Sequence, residues 1–330
     1  RLSESAQALA ILLTDLNGDN APDIAVGNDF DELDGYWTLS GGTWETLDLF
    51  DAFTHSTMSF DIADINNDGS QELFATDMKP YNEDEDTLAA WGPIMEMMDG
   101  PTLEGDPQVM VNTLQTFTDD GYQNQSDLFG LEASGWSWSG KFGDLNSDGL
   151  EDLYVVNGMI AEDLFGHLPN NELVEENQAY INKGDDGFAP MPSWGLGATE
   201  SGRGMSMADL DNDGDLDIVV NNLSSPALLF ENQLCDGDNI TVALQQPDSS
   251  NIHAIGARIT LTTADATYTR DVIAASGYLS GDDATVHFGF PVETALQSMV
   301  VMWPDGMTTS VDAAAFSKNT HLTITRNPID

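Results

Sequence analysis

The residues with the clearest capacity for chemistry form one short segment, residues 209–217, with the sequence Asp-Leu-Asp-Asn-Asp-Gly-Asp-Leu-Asp. Its five carboxylates within nine residues repel one another. Two like charges about 4 Å apart cost about 1 kcal/mol in water and about 4 kcal/mol at an effective dielectric constant of about 20. A folded loop of this composition therefore favours a bound cation. Calcium suits the segment, because this ion takes roughly six to eight oxygen ligands from carboxylates, amides and backbone carbonyls.

The same nine-residue pattern occurs four times, in copies that begin at Asp15, Asp64, Asp144 and Asp209. An acid or Asn stands at positions 1, 3, 5 and 9 of every copy, and these side chains are the expected ligands. Position 7 is expected to offer its backbone carbonyl. The candidate metal ligands are Asp15, Asn17, Asp19, Ala21, Asp23, Asp64, Asn66, Asp68, Ser70, Glu72, Asp144, Asn146, Asp148, Leu150, Asp152, Asp209, Asp211, Asp213, Asp215 and Asp217. The pattern predicts up to four structural Ca²⁺ ions as the cofactors of this chain.

Other kinds of acidic loop are distinguished by what flanks them. An EF-hand loop ends in a bidentate Glu at position 12 and lies between helices. The twelfth positions here are apolar residues, Val26, Ala75, Val155 and Val220, which excludes an EF-hand. Dockerin and thrombospondin-type calcium loops remain open, although the β pattern disfavours them. Acidic turns without metal also remain open, more so in the first copy, which has Asn20 where glycine is preferred, and in the second, which closes with Glu72.

Each acidic segment lies between two short apolar runs that have the composition of strands. The preceding runs include residues 10–13 and 205–208, and the following runs are residues 24–26, 73–75, 153–156 and 218–220. A second strand–turn–strand pattern comes next, over residues 36–44 and 180–188, and another begins at residue 228. One hairpin that carries the acidic loop and one outer hairpin make a four-stranded unit, which is typical of a β-propeller blade.

Two segments interrupt this succession of predicted strands. Residues 83–99 and 160–178 have apolar spacing that predicts helices, and we interpret both as insertions on one face of the propeller. They either pack on the blades or serve as a lid or a partner-binding surface.

The pattern changes after residue 232. Alternating strands are predicted at residues 240–244, 257–262, 267–275, 286–288, 299–303 and 321–325. About seven short strands within about 95 residues are typical of a β-sandwich.

The acidic loops between strands resemble FG-GAP/VCBS-type repeats, which also build the propeller of integrin α subunits. The C-terminal motifs at residues 254–258, 276–280, 287–289 and 303–306 resemble the UnbV/ASPIC domain. The two together are similar to the cartilage acidic protein family and its bacterial relatives. The resemblance implies an all-β protein, with a partial β-propeller over residues 1–234 and a small β-sandwich over residues 235–330. It also implies about seven blades, of which four are visible, so we expect that the others precede this chain.

Composition excludes several functions. Asp and Glu number 57 against 9 Lys and Arg, a formal net charge of −48, whereas nucleic acid binding requires a basic surface. No apolar run is long enough for membrane insertion. The single cysteine, Cys235, rules out an internal disulfide. The excess acid indicates either solubility in a saline environment or a general cation-binding surface.

Catalytic motifs are missing from the sequence. There is no G-x-S-x-G elbow, and the histidines show no H-E-x-x-H spacing. Cys235 lies in an acidic linker that disfavours its thiolate, and we expect His287 to be a packed residue. Trp136 and Trp138 place aromatic rings on one face of a strand, either for packing or for sugar stacking.

These observations predict a non-enzymatic, calcium-binding recognition or adhesion protein. Its expected location is extracellular, at the cell surface or in the periplasm, and its expected partner is a protein or glycan at a surface. The alternative is an enzyme or enzyme accessory that uses the propeller face and its insertions as a substrate site. A third possibility is structural tethering within a larger multidomain protein.

Overall fold

The computed structural model describes residues 2–326 except residues 4, 31, 99–105, 160–167, 169–171 and 235. Strands dominate the described residues, which contain one α-helix, α1 (Glu85–Met98). Short 3₁₀ helices span Gly184–Asp186, Pro192–Trp194 and Ala313–Ala315. Within the described ranges, no helix combines the length and the apolar character that a membrane crossing requires. The predicted all-β class is confirmed.

The first part of the chain builds four sheets in succession. Its strands are β1 (Ala8–Thr14), β2 (Asp23–Asn28), β3 (Gly35–Ser40), β4 (Thr43–Thr46), β5 (Phe53–Thr54), β6 (Ser59–Ala63), β7 (Glu72–Thr76), β8 (Met78–Lys79), β9 (Gln108–Val109), β10 (Thr113–Thr118), β11 (Gly121–Asn124), β12 (Gly135–Gly143), β13 (Asp152–Asn157), β14 (Gln178–Asn182), β15 (Phe188–Pro190), β16 (Gly202–Ala208), β17 (Asp217–Asn222) and β18 (Leu228–Phe230). The strand orders are β1-β2-β3-β4, β6-β7-β10-β11, β8-β12-β13-β14-β15 and β16-β17-β18. The short strand β5 pairs with β9.

Every acidic segment joins the first two strands of the repeated unit. The antiparallel pairs that it connects are β1–β2, β6–β7, β12–β13 and β16–β17. The outer strands β3–β4, β10–β11 and β14–β15 complete three of the units, and β18 alone follows in the fourth sheet among the described residues. The predicted hairpins and propeller-like blades are therefore present.

The sheets follow one another around an arc, with β6 against β1 and β12, and β12 against β16. Side chains alternate between the two faces of a strand. Along β13 residues on both faces are buried, so neighbouring sheets cover the third sheet on both sides. Along β1 only one face is buried: Leu12 is 1% exposed, whereas Ile11 and Leu13 are 56% and 58% exposed. The first sheet is therefore covered on one face only by the described residues.

The predicted helix over residues 83–99 is confirmed as α1. The second predicted helix, over residues 160–178, lies largely outside the described residues. Helix α1 buries Trp91 and Ile94 in a cluster with Met58 and Met78, so it packs on the sheets. In the second segment, residues 160–167 and 169–171 lie outside the described residues. Its remaining residues contain no helix, and Gln178 begins β14 because it pairs with Val155 on β13.

The last part of the chain is a two-sheet sandwich, as predicted. Its strands are β19 (Gly237–Gln245), β20 (Arg258–Thr263), β21 (Thr267–Asp271), β22 (Thr285–Pro291), β23 (Leu296–Met302), β24 (Thr308–Asp312) and β25 (Thr320–Thr325). The sheet orders are β22-β19-β25 and β21-β20-β23-β24. Between them lies a core that includes Phe288, Val301 and Trp303. Strand β21 ends at Asp271, earlier than predicted, and β24 was not predicted because its sequence is polar and partly exposed.

One loop of the sandwich, residues 276–283, crosses the first strands of three sheets, and we call it the axial loop. Gly277 N donates to Phe60 O on β6 at 2.8 Å, Tyr278 N donates to Ser139 Oγ on β12 at 3.2 Å, and Met207 N on β16 donates to Asp282 Oδ1 at 2.8 Å. The sandwich is thereby fixed against the inner side of the arc.

Candidate metal centre

The fourth acidic loop, between β16 and β17, brings three carboxylates together. Oxygens of Asp209, Asp211 and Asp213 all lie within 4.8 Å of one another. Asp209 Oδ1 and Asp215 Oδ1 are shielded from solvent and have no hydrogen-bond partner among the described residues. Oxygens of this kind, converging without a donor, are suited to a cation.

The backbone of this loop holds its side chains in place. Asp217 Oδ2 accepts a hydrogen bond from Leu210 N at 3.0 Å, and its Oδ1 accepts one from Asn232 N at 2.9 Å. Gly214 has a φ of +102°, which only glycine adopts readily, and this allows the turn before Asp215. The closing acid and the turn are thus fixed by hydrogen bonds and by the conformation of the backbone.

The electrostatics of the fourth loop also favour a cation. Burial, followed by repulsion from Asp213, raises the pKa of Asp215 to about 7. The ligand atoms gathered here are carboxylate oxygens, without sulfur or imidazole, and such ligands suit calcium rather than zinc. The residues present therefore fit a calcium ion, with Asp209, Asp211 and Asp213 as side-chain ligands, while the predicted ligand Asp217 lies outside this group.

The other three loops share some local hydrogen bonds with the fourth. They differ in the first acid, which accepts from the N–H groups of positions 5 and 6 in the first three loops, as Asp144 does from Asp148 and Gly149, whereas Asp209 Oδ1 has no partner among the described residues. The closing acid accepts from the N–H of position 2 in all four copies. These bonds run from Leu16 to Asp23, Ile65 to Glu72, Leu145 to Asp152 and Leu210 to Asp217, at 3.0, 3.1, 3.1 and 3.0 Å. Glu72 therefore closes its loop as the aspartates do, despite its longer side chain.

The middle of each loop is equally regular, because the N–H of position 5 donates to the side chain of position 3. The bonds run from Asp19 to Asn17, Asp68 to Asn66, Asp148 to Asn146 and Asp213 to Asp211, at 2.9, 3.0, 3.1 and 3.1 Å. Position 3 is Asn in the first three loops, so a three-carboxylate cluster among the described residues forms only in the fourth. The ligand sets of the first three loops stay predictions.

Carboxylates in the second and third loops are poorly solvated. Burial is the main cause that raises the pKa of Asp64 to about 6 and those of Glu72 and Asp144 to about 8. In the first loop, Asp23 is fully buried and its Oδ1 has no hydrogen-bond partner among the described residues. A bound cation would relieve the cost of keeping these groups ionised.

Two arginines of the sandwich contact the acidic loops, and the sequence analysis missed both. Arg270 forms an ion pair with Glu151 in the third loop, and its Nη1 lies 3.5 Å from Asn67 Oδ1 in the second. Arg258 Nη2 donates to Gln71 Oε1 of the second loop at 3.0 Å. The sequence could have indicated these arginines through their rarity. A chain with only 9 Lys and Arg has few cationic side chains to balance its acids.

A cleft of about 570 Å³ opens between the first and second loops. Phe117 lies on its wall with 60% of its surface exposed, and its ring centroid is 5.3 Å from that of Tyr122. Asp48, Asp51 and Asp120 also line this cleft and are exposed. The sequence analysis did not predict this surface.

The tryptophans and the histidine that the sequence analysis considered for ligand binding pack against other side chains or are buried. Trp138 is buried, with its ring centroid 4.8 Å from that of Tyr278 and the Arg203 guanidinium 4.1 Å from its own centroid. Trp136 lies beside Trp91, with a centroid distance of 5.6 Å. These contacts support packing rather than sugar stacking. His287 is buried, as predicted, and Cys235 lies outside the described residues.

Comparisons with known proteins match two parts of the chain. The FG-GAP-like repeat family matches residues 15–75 and 162–220, and the ASPIC and UnbV family matches residues 247–328. Among solved structures, the V. cholerae biofilm matrix protein Bap1 is similar over 94% of this chain, with 14% sequence identity and a TM-score of 0.33. This chain spans 49% of that structure's chain. A comparison with curated proteins finds no significant match.

Proposed function

Because the chain carries FG-GAP-like repeats followed by an ASPIC and UnbV domain, we propose that it is a calcium-stabilised, non-enzymatic recognition or adhesion protein. The observation that carries this proposal is the convergence of Asp209, Asp211 and Asp213 in the fourth loop. The equivalent hydrogen bonds in the other loops extend the proposal to as many as four calcium ions. The FG-GAP-like repeats support the proposed extracellular or cell-surface location.

The proposed role of calcium is structural. Each acidic loop links the two strands of one antiparallel hairpin, so an ion there would hold that hairpin together. Extracellular calcium modules bind at roughly 10⁻⁴ to 10⁻³ M. At ten times the dissociation constant each ion would add about 1.4 kcal/mol to the free energy of unfolding. Four such ions would add ~6 kcal/mol, which is a large part of the stability of a typical domain.

The cleft beside Phe117 is our candidate surface for a protein or glycan partner. An aromatic ring with 60% of its surface exposed can stack on a sugar or pack against an apolar side chain. Asp48, Asp51 and Asp120 supply hydrogen-bond acceptors around it. The first and second acidic loops form its sides, so calcium in these loops would also fix the shape of the cleft.

Two observations favour a binding protein over an enzyme. His55 Nδ1 lies 3.3 Å from Ser56 Oγ, a pairing that nucleophilic enzymes use, but Ser56 is fully buried and a substrate cannot reach it. In addition, α1 buries Trp91 against the sheets, which suits a packed insertion better than a lid.

A calcium titration of the chain by calorimetry, paired with a glycan and surface-protein binding screen, tests this function. We expect saturable calcium binding, and partner binding that is lost when calcium is chelated. No heat of binding together with an unchanged melting temperature after exhaustive chelation would refute the calcium role. Calcium binding without any partner from the screen, together with turnover of a small substrate, would favour the enzyme alternative.

A further inference from the structure

Arg203 on β16 is a buried arginine without a carboxylate partner among the described residues. It is 8% exposed, and the ion pairs of the described residues do not include it. The other two buried basic residues there, Lys141 and Arg270, each pair with an acid. A charged side chain that is removed from water without a counter-charge is strongly unfavourable. In a chain with 57 Asp and Glu, the lack of an acid beside this guanidinium is unexpected.

Three contacts hold the guanidinium of Arg203 in one orientation. It stacks on the indole of Trp138, with 4.1 Å between the guanidinium carbon and the ring centroid. Its Nη1 donates to Gly202 O at 2.6 Å and to Ser201 Oγ at 3.1 Å. Its Nη2, in contrast, has no hydrogen-bond partner among the described residues. The group is therefore preorganised, and one of its terminal nitrogens still lacks an acceptor.

Arg203 lines a cleft of about 440 Å³ between the fourth sheet and the axial loop. None of the described residues that line this cleft is acidic, and Arg203 is the one charged residue among them. The cleft beside Phe117, in contrast, carries Asp48, Asp51 and Asp120. The walls of the Arg203 cleft thus bear a positive charge, although the formal net charge of the chain is −48.

Asp282, the acid that follows this part of the axial loop, is already bound to other groups. Its Oδ1 accepts from Ser206 Oγ at 3.0 Å and from Met207 N at 2.8 Å, and its carboxylate pairs with Lys141. It therefore serves the contact between the axial loop and the arc. A counter-charge for Arg203 has to come from outside the described residues.

The remaining walls of the cleft indicate what else the ligand contains. Leu223 and Leu279 line it and are 42% and 85% exposed, so an apolar group that covered them would gain free energy. One arginine balances one negative charge. A carboxylate therefore fits better than a dianionic phosphate, which the net charge of the chain would repel more strongly.

We propose that this cleft binds a carboxylate that is attached to a small apolar group, with the carboxylate on Arg203 and the apolar group against Leu223 and Leu279. A free monocarboxylic acid and the C-terminus of a peptide both supply this chemistry. The site goes beyond the proposed function, because it involves neither the acidic loops nor the cleft beside Phe117.

The test measures binding to the whole, calcium-loaded chain by NMR titration. The probes are hexanoate, benzoate and a short peptide that ends in leucine, each compared with its uncharged amide. We expect at least one carboxylate to bind saturably, and its amide to bind at least ~10-fold more weakly. Tighter binding of the peptide than of the free acids would identify a C-terminus as the source, and the reverse order a small acid. No binding of any carboxylate, or equal affinities for acid and amide, would overturn the inference.

Variants of the cleft supply an independent arm. Arg203→Gln should weaken carboxylate binding by at least ~10-fold. Lys183→Gln is the matched control, because Lys183 is exposed and lies outside the cleft, and its loss changes the net charge equally. Leu279→Asp, compared with Leu279→Asn, adds a negative charge at an exposed residue of the cleft and should also weaken binding, so this pair decides if Arg203→Gln does not fold.

Unchanged carboxylate affinity in folded Arg203→Gln, or equal affinities in Leu279→Asp and Leu279→Asn, would contradict the inference. A chain that binds a carboxylate but no calcium would refute the proposed calcium role alone.

Discussion

Lys141 on β12 forms an ion pair with Asp282 of the axial loop, and only 2% of the lysine side chain is exposed. Asp61 on β6 belongs to the same group, since its carboxylate accepts a hydrogen bond from Phe142 N at 2.6 Å. Burial raises the pKa of Asp61 to about 6, and the positive charge of Lys141 opposes this rise. Of the two charges that join the sandwich to the inner side of the arc, Lys141 is almost completely removed from water, whereas the Asp282 side chain is 28% exposed.

The first prediction concerns this ion pair. Asp282→Asn should lower the free energy of unfolding by about 3 kcal/mol, because Lys141 remains buried without its main partner. This value is the lower end of the range for breaking a buried ion pair, because the Asp61 carboxylate still compensates part of the Lys141 charge. Urea denaturation measures the change. As a control, Asp305→Asn removes the partner of Arg326 at a carboxylate that is 47% exposed, and the expected loss is much smaller because solvent screens this pair. Equal effects from the two variants would show that the buried pair has no special role.

The second prediction concerns pH and Asp34, which lies between the first two sheets. Burial raises the pKa of Asp34 to about 7, although Asn28 N and Thr57 Oγ1 donate to it at 2.8 and 2.7 Å. The folded state therefore binds a proton that the unfolded state, with an ordinary pKa near ~4, releases. Stability from this group should rise as pH falls from about 7 to about 4, because the folded state then holds more protons.

Replacing Asp34 by Asn tests the direction of this pH dependence of stability. The amide keeps an acceptor for Asn28 N and can donate to the oxygen of Thr57. Asp34→Asn should raise the free energy of unfolding at pH 8 by an amount on the order of 2–4 kcal/mol, and should reduce the pH dependence between pH 4 and 7 by about one proton. Denaturation at several pH values, in saturating calcium, measures both. An unchanged slope in Asp34→Asn, equal to that of the exposed control Glu45→Gln, would contradict the raised pKa.

The third prediction is that chelation lowers the melting temperature. For four ions worth ~6 kcal/mol, with roughly 2–4 °C per kcal/mol, the expected shift is ~10 °C or more. Asp213→Asn should lose about a quarter of the calcium-dependent stabilisation. Asp119→Asn, an exposed acid outside the four loops, should lose none. Scanning calorimetry with calcium and with chelator measures these shifts, and equal losses in the two variants would show a non-specific charge effect.

The fourth prediction concerns α1. Trp91 is 1% exposed, so Trp91→Ala should lower the free energy of unfolding by about 3–5 kcal/mol. Leu88→Ala, on the same helix at a residue that is 45% exposed, should change it by about 0.5 kcal/mol or less. Hydrogen exchange of the α1 amides should be slow in the unmodified chain. Fast exchange there, with no loss of stability in Trp91→Ala, would instead identify α1 as a mobile lid.

Features that depend on neighbours in sequence were predictable. The spacing of acids from Asp209 to Asp217 repeats four times, and the hydrogen bonds within each loop are local. The apolar runs on either side belong to the same hairpins, so the strands and their pairing follow from the pattern. Helix α1 was found for the same reason, because its apolar spacing lies within a single element.

Features that depend on distant segments were not predictable. The axial loop has no periodicity, and its bonds to Phe60, Ser139 and Met207 involve residues far away in sequence. The contact of the third loop with the sandwich likewise depends on Arg270, which no local pattern connects to Glu151. Strand β24 was missed because its polar residues do not alternate with buried ones strongly enough.

The axial loop also has a consequence for synthesis of the protein on the ribosome. Gly277 bonds to Phe60, yet it emerges about 200 residues later in the growing chain. At about 5–20 residues per second, β6 waits roughly 10–40 s before its partner exists, and β12 and β16 wait for shorter times. During that interval β6, β12 and β16 present unpaired polar and apolar groups to the surroundings. Nascent chains that stop before residue 276 should therefore depend on chaperones far more than the complete chain does.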